Sequence, residues 1–112
     1  RLAAQARARG VRVIGATLPP FKDALQGTPL EGHYSAAKDA LRQALNAWIR
    51  TTSAFDAVVD FDAVLRDPAD PARLHPAYDS GDHLHPGDAG YRAMAEAIDL
   101  ATLLGAAVED QR

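Results

Sequence analysis

At 112 residues, with 47% hydrophobic and 24% charged residues, the chain has the composition of one globular domain or of part of one. A net charge of -3, alternating in sign and without a Lys/Arg run, gives no surface for nucleic acid. The lack of cysteine excludes disulfides and thiolate metal sites, and no apolar run approaches the roughly 18 residues of a transmembrane segment.

The opening "RLAAQARARG" has neither an initiator Met nor a signal-peptide pattern. Its alanines and arginines favour helix, and Gly10 suits the left-handed position beyond a helix end. It reads as the last turns of a helix in a chain entered partway through. "VRVIGA" (11–16), β-branched and apolar, predicts a short buried strand, parallel because helical segments flank it. "TLPPFKDALQGTPLEGHY" carries three prolines and two glycines and predicts a long loop, a kind that is often functional.

Ser35 suits the N-cap of a helix over "AAKDALRQALNAWIRTT". Leu41, Leu45, Trp48 and Ile49 share one face of it, which predicts a core role for Trp48, while Lys38, Arg42 and Arg50 lie elsewhere. "FDAVVDF" (55–61) predicts a second strand, with Asp60 and Asp62 at its carboxyl end and Asp62 expected to cap a helix there. A second proline-bearing loop leads to a last helix from about Asp88 to Leu104, with Tyr91, Met94, Ala95 and Ile98 as its apolar stripe. The two strands and the helix between them form a right-handed βαβ unit. Two strands make a poor sheet, so further strands are expected upstream.

Chemistry concentrates in "DSGDHLHPGDAGY" (79–91), on the loop beyond the second strand. In open α/β sheets the functional crevice lies outside the carboxyl ends of the strands, so this loop is on the expected side. Three readings are open. Asp82 and His85, three apart, become neighbours in one helical turn; the carboxylate then accepts from Nδ1–H and leaves Nε2 free as a base. Alternatively, His83 and His85 project to one side of an extended segment and, with Asp79, Asp82 or Asp88, hold zinc or a similar ion. Lastly, the segment is a hydrated turn without chemistry. His75 and Tyr78, just upstream, read as surface loop.

"DHLHPGDAGYRAMAEAI" resembles the final block of the SGNH (GDSL-like) hydrolases, an Asp-x-x-His-Pro sequence before the C-terminal helix. "VIGATLPPF" and "NAWIR…FDAVVDFDAVLRDPADPARLHPAYDSGDHLHP" are similar to the bacterial lipase and acylhydrolase branch of that family. The similarity covers roughly residues 10–104. It implies an α/β fold, the C-terminal part of a flavodoxin-like three-layer α/β/α sandwich with a parallel sheet. It also implies ester hydrolysis by a Ser-His-Asp triad, with no cofactor and no metal. Carried over by position, His85 matches the general base and Asp82 the residue that orients it. His83 has no catalytic counterpart and is expected to be exposed or to support the loop. Pro19, Pro20 and Phe21 match a loop near the family's active site, where they would touch an ester or lipid substrate. Secretion is common among such relatives.

The family's nucleophile sits in an early Gly-Asp-Ser block, and its oxyanion donors come from that block and two later ones. None of these is found here. Asp79-Ser80-Gly81 adjoins the His block instead, Ser35 suits a cap and Ser53 a helix end. The expectation is therefore that residues 1–112 form the C-terminal part of a single hydrolase domain. Its partner would be the N-terminal half of the same fold, as a cleaved, separate or swapped chain. A metal-binding enzyme or module centred on His83 and His85, and a non-catalytic α/β interaction domain, are the alternatives.

Overall fold

A computed structural model of the chain describes residues 1–105; the end of the 1–112 domain expectation lies outside the described residues. The fold is mixed α/β. Helix α1 (Leu2–Ala8) leads to β1 (Ile14–Ala16), and α2 (Ala36–Thr51) crosses to β2 (Ala57–Val59). Helix α3 (Phe61–Leu65) comes directly after, then β3 (Arg66–Asp67) and β4 (Asp70–Leu74), and finally α4 (Asp88–Glu96) and α5 (Leu100–Leu104). Among the described residues no helix is long and apolar enough to cross a membrane.

Local signals account for most boundaries. Gly10, at φ +78, ends α1: its N–H donates to Arg7 O and that of Val11 to Ala6 O, both at 3.0 Å, the paired bonds of a Schellman cap. Ser35 starts α2, its hydroxyl accepting Lys38 N–H at 3.1 Å. The two predicted strands form but are shorter than expected. They pair in parallel, Ile14 with Ala57, Gly15 with Val58 and Ala16 with Val59. Asp56 N–H donates to Val13 O at 2.7 Å and Thr17 N–H to Val59 O at 3.1 Å. The odd-numbered peptides of β1 thus face β2, and those of Ile14 and Ala16 face the opposite edge. Among the described residues no third strand lies there.

Several expectations are corrected. Asp60, not Asp62, caps the helix after β2, accepting Ala63 N–H at 3.1 Å, which ends the strand two residues early. The loop after it contains an antiparallel hairpin, β3 with β4. The last helix is broken, because Asp99 accepts Thr102 N–H at 2.6 Å and starts α5 as a new helix. Its expected stripe is only partly covered: Met94 and Ile98 are half-buried, whereas Tyr91 and Ala95 are exposed.

The largest correction concerns α2. Its inward face is Asp39, Arg42, Asn46 and Ile49, while Leu41, Leu45 and Trp48 are exposed. Trp48 is not core; it is 51% exposed, and its ring meets that of Phe55 edge-on at 5.8 Å. The polar face goes inward because its partners are there. Arg42 donates to Asp39 at 3.0 Å and to Asp62 at 2.7 Å, and Arg50 reaches Asp60 and Asp62, each at 2.8 Å. Paired charges that complete one another's hydrogen bonds tolerate burial, where a lone one would not. Among the described residues the buried hydrophobic side chains are few: Ala24, Ile49, Val59, Leu65 and Leu74.

Candidate active site

The site lies at the carboxyl end of the parallel pair. Thr17, at the end of β1, donates its hydroxyl to Asp60 Oδ1 at 2.8 Å and accepts Asp62 N–H at 2.9 Å. This fastens the two strand ends together. Asp60 is held down to a pKa of about 2, chiefly by the Arg50 guanidinium and then by the Thr17 hydroxyl and Ala63 N–H, against the opposing effect of its partial burial.

Residues 79–86 form a tight reversal. Asp79 bridges Pro86, Ser80 N–H donates to His85 O at 3.0 Å, and Gly87 N–H donates to Tyr78 O at 2.7 Å. Within it two Asp–His pairs stand side by side. Asp82 Oδ1 accepts the N–H groups of His85 at 2.7 Å and Leu84 at 2.8 Å, and Asp82 Oδ2 lies 2.6 Å from His85 Nδ1. The backbone N–H and then the imidazole of His85 hold the Asp82 carboxyl far below its ordinary range. An ionised carboxylate only accepts, so His85 Nδ1 carries a proton, and in the neutral imidazole Nε2 is then the nitrogen with the lone pair. The His85 side chain is 62% exposed, so that lone pair is reachable.

The second pair is Asp79 and His83. Asp79 Oδ1 accepts Gly81 and His83 N–H at 2.8 and 3.0 Å, and Oδ2 lies 2.5 Å from His83 Nδ1. Burial raises the Asp79 pKa, but the bonds from Gly81 and His83 outweigh it and leave it lowered. His83 adopts φ +61, in the left-handed region, and these two bonds hold it there. It is half-buried and ties the reversal together. Each histidine is bound through Nδ1 to its own aspartate. Among the described residues no three His, Asp or Glu side chains are grouped as a metal site would require.

Serine does not complete a triad here. The Ser80 hydroxyl donates to Asp82 Oδ1 at 3.1 Å, on the carboxylate and not on the imidazole. Ser35 caps α2.

Beside the reversal runs an open apolar groove of about 290 Å³, lined by Leu18, Pro19, Phe21, His33, Arg42 and Leu84. Pro19 and Phe21 are thus brought to the neighbourhood of His85. Pro20 does not line the groove: its side chain is fully buried. The structure adds Leu18, His33 and Leu84, which the sequence did not single out. The Phe21 ring meets His33 at 5.7 Å and Tyr34 at 5.0 Å, both edge-on. Loop and reversal are joined, since Leu25 N–H donates to Asp82 O at 2.8 Å. His75 is held locally, its Nδ1 accepting Ala77 N–H at 3.0 Å and its ring 5.3 Å from that of Tyr78.

An aspartate-held imidazole has the chemistry of a base. The chain belongs to the GDSL-like lipase/acylhydrolase family, whose model matches residues 1–98. Two crystal structures are similar in fold. One is a GDSL-like lipase from Bacteroides thetaiotaomicron, 24% identical with a TM-score of 0.65, where 99% of this chain covers 49% of that one. The other is a candidate acylhydrolase from Bacteroides fragilis, 23% identical with a TM-score of 0.58, where 98% covers 48%. The chain spans about half the length of these relatives. No curated protein matches it.

Proposed function

We propose that this chain supplies the base and its orienting acid to a serine ester hydrolase, with His85 and Asp82 as the second and third members of a Ser-His-Asp triad. The observation that carries the reading is the Asp82–His85 pair, its Nδ1 occupied and its Nε2 open, at the strand ends beside an apolar groove. The serine and the oxyanion donors come from the N-terminal half of the same fold. That half would continue the sheet from the free edge of β1 and cover Leu41, Leu45 and Trp48, giving the three-layer α/β/α sandwich with its parallel sheet.

In the acylation step His85 Nε2 takes the proton of the serine hydroxyl as its oxygen attacks the ester carbonyl. Asp82 stabilises the imidazolium that forms and prevents the ring from turning. His85 then gives the proton to the departing alcohol oxygen. In deacylation the same nitrogen activates water, and the acid leaves with serine restored. The acyl part of an ester or lipid substrate lies over Pro19 and Phe21, with Pro20 stiffening the turn beneath.

The test is fluorophosphonate labelling of the intact protein, read by peptide mass. A label on a serine outside residues 1–112, lost in His85→Ala, supports the proposal. A label on Ser35, Ser53 or Ser80, or one that survives His85→Ala unchanged, defeats it.

A further inference from the structure

The inward polar face of α2 takes no part in the proton transfers above, yet its bonds converge on one residue of the groove. Asn46 is wholly enclosed, 0% exposed. Its Oδ1 accepts Leu18 N–H at 2.7 Å and its Nδ2 donates to Leu18 O at 2.9 Å. Arg42 Nη1 donates to the same carbonyl at 3.1 Å, and the Arg42 guanidinium is itself held by Asp39 and Asp62. An amide that satisfies both polar groups of one residue holds that residue as a neighbouring strand would. Leu18 lies two residues beyond β1; it is 45% exposed and forms part of the groove wall.

We infer that Asn46, backed by Arg42, is a positioning residue that sets the acyl-chain preference of the site by clamping Leu18. The inference rests on the ester-hydrolase reading. The groove is lined both by Leu84, the residue before His85, and by Leu18 and Phe21. An octanoyl chain has apolar carbons to lay against that wall, and an acetyl group has almost none. Releasing the clamp therefore loosens the wall that a long chain packs against and leaves the Asp82–His85 pair untouched.

The experiment uses the intact protein with p-nitrophenyl acetate and p-nitrophenyl octanoate. Asn46→Leu keeps the volume and removes both bonds; Asn46→Asp keeps the acceptor for Leu18 N–H but sets a lone pair against Leu18 O. Both are expected to lower kcat/KM for octanoate about tenfold, the scale of one buried hydrogen bond, mainly through KM. Acetate turnover stays within about twofold, with an unchanged pH profile. Equal losses on both esters, or none on either, overturn the inference. Should neither Asn46 variant accumulate folded, Leu18→Ala decides, because its side chain is partly exposed. An octanoate-selective loss supports the inference, and an unchanged octanoate-to-acetate ratio overturns it. Wild-type protein inert to both esters would instead defeat the hydrolase reading, and the inference with it.

Discussion

Gly90 is pressed against the backbone of Tyr78. A Cβ at position 90 would lie 2.5 Å from Tyr78 O and 2.7 Å from Pro86 Cβ, closer than atoms can pack. Tyr78 and Pro86, at the entry and exit of the reversal, thus seat α4, and α4 in turn fixes where His85 stands. Gly90→Ala forces one of them to move. Even with alanine's better helix propensity, about 1 kcal/mol, overpacking here is expected to destabilise by about 1–2 kcal/mol and to lower turnover. Gly87→Ala is the control: φ is -84 and the nearest atom to its Cβ is at 3.4 Å, so it should cost less. Thermal melts and ester turnover of the two intact variants check this, and equal effects would contradict it.

His85→Ala in the intact protein is expected to lower kcat by roughly 10³–10⁶-fold with little change in KM. Asp82→Asn separates orientation from charge. The amide oxygen can still accept the N–H groups of Leu84 and His85, but its NH₂ would face Nδ1. That forces the proton onto Nε2, the wrong tautomer for a base. The expected loss is about 10²–10⁴-fold, and steady-state kinetics on a short ester measure it. A variant as active as wild type would show that the carboxylate does not orient His85.

Asp60 gives a stability signal with a defined sign. Its pKa falls from the ordinary 3.8 to about 2 on folding. A depressed acid stabilises above its unfolded value, and that stability is lost as pH falls through its folded value. The melting temperature of the intact protein is therefore expected to decline between about pH 4 and pH 2. Asp60→Asn should be less stable at neutral pH and show a shallower acid decline. Melts recorded at pH 6, 4 and 2.5 decide it; an unchanged acid slope would mean that the Arg50 pair does not contribute.

The 112-residue chain by itself is expected to lack both a cooperative melt and esterase turnover. Among the described residues the buried hydrophobic side chains are few, and Leu41, Leu45 and Trp48 are exposed on α2. Circular dichroism of the purified chain checks the first point and p-nitrophenyl acetate the second. A sharp transition would show that these residues fold alone; turnover would show that they hold their own nucleophile. Addition of the N-terminal half should restore both properties.

The features legible in the sequence were local ones. Gly10 and Ser35 end and start helices through bonds that span three to five positions, so residue type and place in the chain suffice to read them. The Asp82–His85 pair is legible for the same reason: three residues apart, it needs only one tight turn to close. The two strands arise from their β-branched runs. Tertiary structure decided the rest. On α2, buried Arg42, Asn46 and Ile49 each sit one position after exposed Leu41, Leu45 and Trp48, about 100° around the helix. Periodicity finds the apolar stripe but cannot say which surface meets a neighbour. That depended on Leu18 and Asp62, 24–28 and 20 residues distant in the chain, whose peptide and carboxylate drew Arg42 and Asn46 inward. Long-range partners of this kind leave no spacing to read, because only the folded chain brings them within hydrogen-bonding distance.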